Sequence, residues 1–142
     1  MSAVAPLDGI TLQKLTGSEI SGAVQAGQLW ETSAAVVLCL RRPGCPMCRA
    51  AAHALHAKKT ELDAINVRLI CVIKEHKEGE VEQFREKYWG GEIYVDEGLA
   101  FFKALGGGET QSKGLLALAS SKVRFNNKRK QPAAQCMQQR LD

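Results

Sequence analysis

Runs of consecutive apolar residues alternate along the chain with segments in which apolar residues recur every three or four positions. Ala35–Leu40 and Val67–Ile73 are continuous apolar runs, which favour strands buried on both faces of a parallel sheet. Ile93–Val95 predicts a short third strand. Because segments of helical periodicity follow each run, the order strand, helix, strand, helix, strand, helix predicts an α/β fold with parallel strands.

Three helices are predicted from the segments between and after these strands. Pro46 suits the first turn of the first helix, because the N–H that proline lacks would have no partner there. Gly90-Gly91 closes the second helix, and Asp96 can cap the third, which ends at the glycines 106–108. The expected apolar faces are Met47, Ala51, Ala54, Leu55 and Leu62 in the first helix, Val81, Phe84 and Tyr88 in the second, and Leu99, Phe102 and Leu105 in the third.

The composition is that of an ordinary globular protein. The chain has 142 residues, of which 45% are apolar and 24% charged, enough for one domain with a sizeable core. No apolar run approaches the roughly 18 residues of a membrane span, and Met1–Leu15 lacks the basic start and apolar block of a secretory signal. A cytoplasmic protein that does not enter the membrane is therefore expected.

The net charge of +4 is concentrated near the C-terminus. Residues 106–142 contain seven basic and two acidic residues, so the rest of the chain is nearly neutral. We expect a solvated basic tail. Such a tail also raises the alternative of nucleic-acid binding, which is not favoured because Phe125 is its one aromatic residue.

The five cysteines fall into different environments. An odd, modest number does not suggest a secreted disulfide framework. Cys39 and Cys71 lie inside apolar runs and are expected to be core residues, whereas Cys136 lies in the polar tail and is expected to be exposed. Cys45 and Cys48 are left as the candidate chemical pair.

The Cys45-Pro46-Met47-Cys48 segment lies where a strand is predicted to lead into a helix. A sulfur at a helix N-terminus lies near unpaired N–H groups and the positive end of the helix dipole, which favour the thiolate. The cysteine three residues later lies about one turn away and can resolve a mixed disulfide or sulfenic acid. Cys45 is therefore the expected nucleophile and Cys48 the resolving cysteine, with Arg42 and Arg49 stabilising the thiolate.

A zinc site is an alternative use of the same cysteines. With His53 and His56 they form the pattern C-x2-C-x4-H-x2-H. A helix over residues 46–60 places Cys48 and His56 roughly 12 Å apart along its axis, too far for ligands of one ion. We therefore expect no metal and no cofactor, and histidines on the helix surface.

Four segments in order resemble the peroxiredoxin-like 2 family, which includes prostamide/prostaglandin F synthase and selenoprotein U relatives. The similarity covers roughly residues 10–125. The segments are Arg41-Arg42-Pro43-Gly44-Cys45-x-x-Cys48-Arg49, Lys74-Glu75-His76, Gly91-Glu92-Ile93-Tyr94-Val95-Asp96-Glu97, and Phe101-Phe102-Lys103-Ala104-Leu105-Gly106-Gly107-Gly108.

The resemblance implies a three-layer α/β/α thioredoxin-like fold and thiol-dependent redox activity. It implies an antioxidant oxidoreductase that reduces a peroxide, endoperoxide or protein disulfide, with thioredoxin or another thiol reductant as electron donor. Some relatives carry selenocysteine at the position of Cys45, which supports Cys45 as the attacking atom. The alternative is a catalytically weak regulatory or interaction protein that keeps the pair as a redox sensor.

The chain also departs from the family pattern. True peroxiredoxins carry threonine where this chain has Arg42, which argues against a dedicated fast peroxidase. The resemblance is expected to end near Lys130, before the strand hairpin that completes a thioredoxin fold, and the cis-proline of that fold is missing. We therefore expect a truncated or alternatively spliced product with a core in residues 1–108 and a divergent tail in residues 109–142. Low stability, self-association and disorder from about Lys122 are also expected.

Overall fold

The structure of the protein is a computed structural model, which describes residues 6–106. These residues form a five-stranded sheet with four α-helices and a 3-10 helix, Ala26–Leu29. The strands are β1 (Thr11–Thr16), β2 (Glu19–Gln25), β3 (Ala35–Leu40), β4 (Arg68–Ile73) and β5 (Glu92–Val95). The helices are α1 (Pro46–His56), α2 (Lys59–Ala64), α3 (Glu78–Lys87) and α4 (Ala100–Leu105).

The sheet is mixed, with the strand order β2-β1-β5-β4-β3. β3, β4 and β5 are the three predicted strands, and they are parallel as expected. β1 and β2 form an antiparallel hairpin that pairs with β5 through β1, so the sheet also contains antiparallel strands that were not predicted. The hairpin was not predicted because most of β2 is exposed and carries no apolar run.

Side chains from the two faces of the sheet form two apolar clusters. On β4, Leu69, Cys71 and Ile73 pack toward α1, α2 and α3, whereas Ile70 and Val72 pack toward α4 and the 3-10 helix. Helices therefore cover both faces, which gives the expected three-layer α/β/α arrangement. All residues from Leu69 to Ile73 are buried, because β4 lies inside the sheet and is covered on both sides.

β3 is less buried than its apolar sequence suggests. It is the last strand of the sheet, and within residues 6–106 no strand pairs with its outer edge. Of its residues only Leu40 is buried, and the five from Ala35 to Cys39 are half-buried. The expectation of a strand buried on both faces is therefore confirmed for β4, whereas β3 packs against both apolar clusters but is only half-buried.

The buried face of α1 differs from the predicted one. Ala52 is fully buried, and Cys48 and Leu55 pack beside it against the core. Met47, by contrast, is 54% exposed, and Ala51 and Ala54 are also exposed. The predicted stripe is therefore right for Leu55 and for Leu62, which packs against the core from α2, and wrong for the other three residues. Periodicity alone did not identify the inner face, because alanines occupy both sides of this helix.

α3 buries Val81 and Phe84, with Tyr88 packing beside them, and this predicted face is confirmed. α4 buries Phe101, which was not predicted, while the predicted Phe102 packs partly buried against the core and the predicted Leu105 is 49% exposed. The face predicted for this helix is therefore only partly correct. The buried carboxylate of Asp96 accepts a 3.0 Å hydrogen bond from the N–H of Phe102, as expected for a residue that caps the helix.

Arg85 on α3 ties that helix to the N-terminal hairpin. Its guanidinium donates hydrogen bonds of 2.6 Å to Gly17 O, 2.9 Å to Leu15 O and 3.2 Å to Gly91 O. A second link is the 2.7 Å contact between His76 Nε2 and Ser18 O. These contacts hold α3 in place over the sheet, and α3 in turn contacts the loop that carries Cys45.

Several expectations lie outside the described residues. They are the basic tail of residues 109–142, the environment of Cys136 and the order of the chain beyond Lys122. Within residues 6–106, no helix has the length and apolar character needed to cross a membrane.

Candidate functional site

Cys45 and Cys48 lie where β3 leads into α1, as predicted. β3 ends at Leu40, and Cys45 is the N-cap of α1, with an extended backbone (φ −72°, ψ 125°) and Pro46 at the first helical position. Its carbonyl oxygen accepts a 2.9 Å hydrogen bond from the N–H of Arg49. Cys48 follows in the first turn, and it packs against the apolar core beneath α1.

The environments of the two sulfurs shift their pKa values in opposite directions. The backbone N–H of Cys48 is the largest cause that lowers the pKa of Cys45, and the Cys48 thiol, the N–H of Met47 and the charge of Arg42 lower it further. Burial raises the pKa of Cys48, and so does its hydrogen bond to the Cys45 sulfur. Cys45 is therefore the sulfur that ionises more easily, while Cys48 holds its proton.

The structure separates the roles of the two arginines that were expected to stabilise the thiolate. Arg42 is exposed, and its charge contributes to the lowered pKa of Cys45. Arg49 instead donates hydrogen bonds of 2.7 Å from Nε to Pro43 O and of 3.3 Å from Nη2 to Gln83 Oε1. Its guanidinium also lies 5.3 Å from the centre of the Tyr88 ring. Arg49 thus holds the loop, and an effect of its charge on the thiolate stays a prediction.

Glu80 and Gln83 on α3 complete the site, and sequence reasoning missed both. The N–H of Gly44 donates a 3.1 Å hydrogen bond to Glu80 Oε2. A Cβ at Gly44 would overlap the carboxyl group of Glu80, so a larger residue here would displace that carboxylate from its hydrogen bond. The one available signal was the i, i+3 spacing of Glu80 and Gln83 on a helix, but nothing in the sequence indicates which loop that face contacts.

The other described cysteines lie in less reactive environments. Cys71 is fully buried, as expected, and burial raises its pKa far above the usual range of a thiol. Cys39 is half-buried on the edge strand, and burial together with the charge of Asp96 raises its pKa to about 11. Of the four thiols in residues 6–106, that of Cys45 is the one whose pKa is lowered.

The two histidines lie on the surface of α1 and contact aromatic rings. His53 meets the edge of Tyr88, with ring centres 6.5 Å apart, and His56 lies against Trp89 at 5.5 Å. His56 Nε2 accepts a 3.3 Å hydrogen bond from the N–H of Gly90, and partial burial lowers its pKa.

The helix that was expected to argue against a zinc site is present. α1 runs unbroken from Pro46 to His56, so the helix that keeps Cys48 and His56 apart is present. In the described part of the chain, no three His, Cys, Asp or Glu side chains come together in a way that could hold a metal ion.

Comparison with known proteins agrees with the architecture. The structure described as MTB dsbF in its mixed oxidized and reduced forms aligns with a TM-score of 0.58 and 18% sequence identity, over 78% of this chain and 76% of that one. At this identity the likeness concerns the fold alone. With helices on both faces of the sheet and the cysteine pair between β3 and α1, the chain has a thioredoxin-like α/β fold.

Sequence comparison identifies the family. Peroxiredoxin-like 2A of Bos taurus is 39% identical over 71% of this chain and 45% of its own length, and that of Rattus norvegicus is 40% identical over 72% and 43%. The chain thus spans about half the length of these curated relatives. The family described as AhpC/TSA antioxidant enzyme matches residues 54–140, past Lys130, where the resemblance was expected to end. The chain therefore belongs to the AhpC/TSA antioxidant enzyme family and, as its motifs suggested, to the peroxiredoxin-like 2 family.

Proposed function

We propose that this chain is a thiol-dependent reductase that cycles between a Cys45–Cys48 dithiol and a Cys45–Cys48 disulfide. The observation that carries the proposal is the opposite direction of the two pKa shifts, with a thiolate favoured at Cys45 and a thiol retained at Cys48. A nucleophile must be ionised to attack, whereas a resolving thiol that stays protonated leaves Cys45 free to react first. The family match begins at residue 54, beyond both cysteines, so the role of the pair rests on this geometry.

With a disulfide substrate, the Cys45 thiolate attacks one sulfur, a mixed disulfide forms on Cys45, and the other sulfur leaves as a thiolate. Cys48 then gives up its proton and attacks the Cys45 sulfur, which releases the second substrate thiolate and forms the Cys45–Cys48 disulfide. The substrate gains two electrons and the pair loses two. The proton from Cys48 is available to a departing thiolate.

With a peroxide or endoperoxide, the Cys45 thiolate attacks one oxygen of the O–O bond. From a hydroperoxide, the sulfenic acid of Cys45 forms and a hydroxide or alkoxide leaves, which takes up a proton to become water or the alcohol. Cys48 then displaces the sulfenic oxygen as water when the disulfide closes. From an endoperoxide, whose two oxygens both carry carbon, a sulfenate ester of Cys45 forms and the other oxygen leaves as an alkoxide that takes up a proton. Cys48 then displaces the ester oxygen as the second alcohol. In both cases thioredoxin or another dithiol reductant in the cytoplasm reduces the disulfide back to the dithiol and is itself oxidised.

Coupled turnover tests the proposal. The full chain is supplied with thioredoxin, thioredoxin reductase and NADPH, and NADPH loss is followed with hydrogen peroxide, an organic endoperoxide or a protein disulfide. The parent chain should turn over at least one of the three, and both Cys45→Ser and Cys48→Ser should stop turnover. Cys39→Ser is the matched control, since Cys39 lies outside the pair, and it should keep the parent rate.

Mass spectrometry after a single oxidant addition assigns the roles. Cys48→Ser should carry the sulfenic acid or mixed disulfide on Cys45, and Cys45→Ser should carry neither. Adducts that form on Cys48 alone would reverse the assignment. A parent chain that oxidises once on Cys45 but turns over none of the substrates would overturn the reductase and indicate a redox sensor.

A further inference from the structure

The peptide bond that precedes Cys45 by one residue is held at both ends. It joins Pro43 to Gly44, and its carbonyl oxygen accepts the 2.7 Å hydrogen bond from Arg49 Nε. Its N–H donates the 3.1 Å hydrogen bond to Glu80 Oε2. Because a peptide unit is planar, two hydrogen bonds at opposite ends determine the orientation of the whole unit. We name these two contacts the Pro43–Gly44 clamp.

Both side chains that make the clamp are connected to α3. Glu80 belongs to the first turn of that helix, and Gln83, one turn later, accepts the 3.3 Å hydrogen bond from Arg49 Nη2. Phe84, on the same helix, is fully buried in the core. The clamp is therefore anchored on a helix that is itself packed against the sheet.

Glu80 has no evident task within its own helix beyond that of an acid in a first turn. An acid there interacts favourably with the helix dipole whichever way its side chain points. Its carboxylate instead reaches the Gly44 N–H, and Lys77 Nζ lies 4.0 Å from the other oxygen. Oxygen acceptors that carry a charge make the stronger hydrogen bonds, which suits a carboxylate for holding a glycine loop.

The clamp bears on the chemistry of Cys45. The Cys45 thiolate depends chiefly on the N–H of Cys48 and also on that of Met47, so its sulfur must stay close to the first turn of α1. Gly44 has the widest backbone freedom of any residue, and if its N–H were released it could turn Cys45 away from those donors. We propose that Glu80 is a positioning residue, whose hydrogen bond to Gly44 keeps the Cys45 sulfur at the N–H groups that stabilise its thiolate.

This inference rests on the proposed function, since it concerns the same thiolate, but it is measured without turnover. The test is the rate of iodoacetamide alkylation of Cys45 in the full chain as a function of pH, read by site-resolved mass spectrometry. If the parent chain shows a thiolate at Cys45 yet reduces no substrate, the proposed function fails while the role of Glu80 can still be decided.

Two variants separate the hydrogen bond from the charge of Glu80. Glu80→Ala removes both, and the loss of about one hydrogen bond should slow alkylation of Cys45 at pH 7 by roughly threefold to tenfold. Glu80→Gln keeps an oxygen acceptor for Gly44 but removes the negative charge, and it should alkylate at the parent rate or faster. Glu86→Ala, an exposed acid on the same helix, is the matched control and should not change the rate.

Each remaining outcome decides the question. The positioning role would be overturned if Glu80→Ala were alkylated at the parent rate. It would also be overturned if the Ala and Gln variants were accelerated equally, since that result would show that only the charge of Glu80 matters. Should Glu80→Ala not fold, Glu80→Asp replaces it, because the side chain is one methylene shorter and holds its carboxylate farther from the Gly44 N–H while the charge stays in the chain. That variant should also slow alkylation, and parent-like alkylation in it would equally overturn the proposal.

Discussion

The guanidinium of Arg49 donates a 2.7 Å hydrogen bond to the carbonyl oxygen of Pro43. Only the backbone N–H of Arg49 is hydrogen-bonded to Cys45, at its carbonyl oxygen. A planar guanidinium can hold this carbonyl, Gln83 and the face of Tyr88 at the same time. The loop before Cys45 is therefore held by geometry that depends on the shape of this side chain. Arg42, by contrast, is exposed and acts through its charge.

This difference predicts opposite responses to lysine. Arg49→Lys keeps the positive charge but loses the planar guanidinium with its several N–H donors. It should therefore slow Cys45 alkylation about as much as Arg49→Ala does. Arg42→Lys should keep most of the parent alkylation rate. Arg42→Ala should raise the pKa of Cys45, and this difference from the parent should shrink as salt is added, because salt screens the charge of Arg42. Alkylation at low and high ionic strength measures all four variants. A full rescue of Arg49 by lysine would contradict the role given to its shape.

Stability should fall as the solution becomes alkaline, and Cys39 should contribute. A free thiol has a pKa of 9.0, whereas that of Cys39 in the folded chain is about 11. Its contribution is therefore present below pH 9 and is lost as the pH rises toward 11, because the unfolded chain releases the proton first. The loss amounts to roughly 2–3 kcal/mol.

Urea unfolding of the parent and Cys39→Ala at pH 8, 9.5 and 10.5 measures this contribution. Whatever its stability at pH 8, the variant should lose stability less steeply as the pH rises, since the half-buried thiol of Cys39 is gone. The charge of Cys39 also raises the pKa of Cys71, so removal of Cys39 weakens the contribution of Cys71 in the same direction. Identical slopes would show that Cys39 ionises as readily in the folded chain as in the unfolded one.

Phe84→Ala should weaken both the core and the site. Phe84 is fully buried, and its ring is stacked with those of Tyr88 and Trp89, with centres 6.5 and 6.4 Å away. Removal of such a side chain costs about 3–5 kcal/mol. Because α3 carries Glu80 and Gln83, Cys45 alkylation should slow as well, even in conditions where the variant remains folded.

Phe101→Ala is the matched control for this prediction. Phe101 is equally buried, but it packs on the opposite face of the sheet, away from α3. It should lower the free energy of unfolding by a similar amount and leave the alkylation rate of Cys45 unchanged. Equal slowing in both variants would mean that Cys45 responds to general loss of stability and not to the position of α3.

Glu92→Ala should destabilise the sheet without touching the redox site. Both oxygens of Glu92 accept hydrogen bonds from Arg68 Nη2, at 2.8 and 2.9 Å, and Oε1 also accepts the Tyr94 hydroxyl at 3.1 Å. Arg68 begins β4, at the end of the sheet opposite to the end of β3 that leads to Cys45. Loss of the carboxylate should cost about 1–2 kcal/mol in unfolding experiments. A changed pH profile of Cys45 alkylation would contradict this separation.

The sequence alone was sufficient for the features that depend on neighbours along the chain. The three parallel strands follow from uninterrupted apolar runs, and the start of α1 follows from Pro46 placed directly after Cys45. The Cys-x-x-Cys spacing brings two thiols to one helical turn whatever surrounds it. These features need no distant contact, because backbone geometry and short-range sterics produce them.

The tertiary structure decided the features that depend on which surfaces meet. Periodicity did not show which side of α1 faces the sheet, because the helix is rich in alanine, or that β3 lies at the edge. The contacts of Arg49 with Gln83 and Tyr88 could not be predicted, because only the packed fold brings these residues together. Glu80 is 36 positions from Gly44, and α3 carries other glutamates that are exposed. Only the folded chain shows which of these glutamates contacts the loop before Cys45.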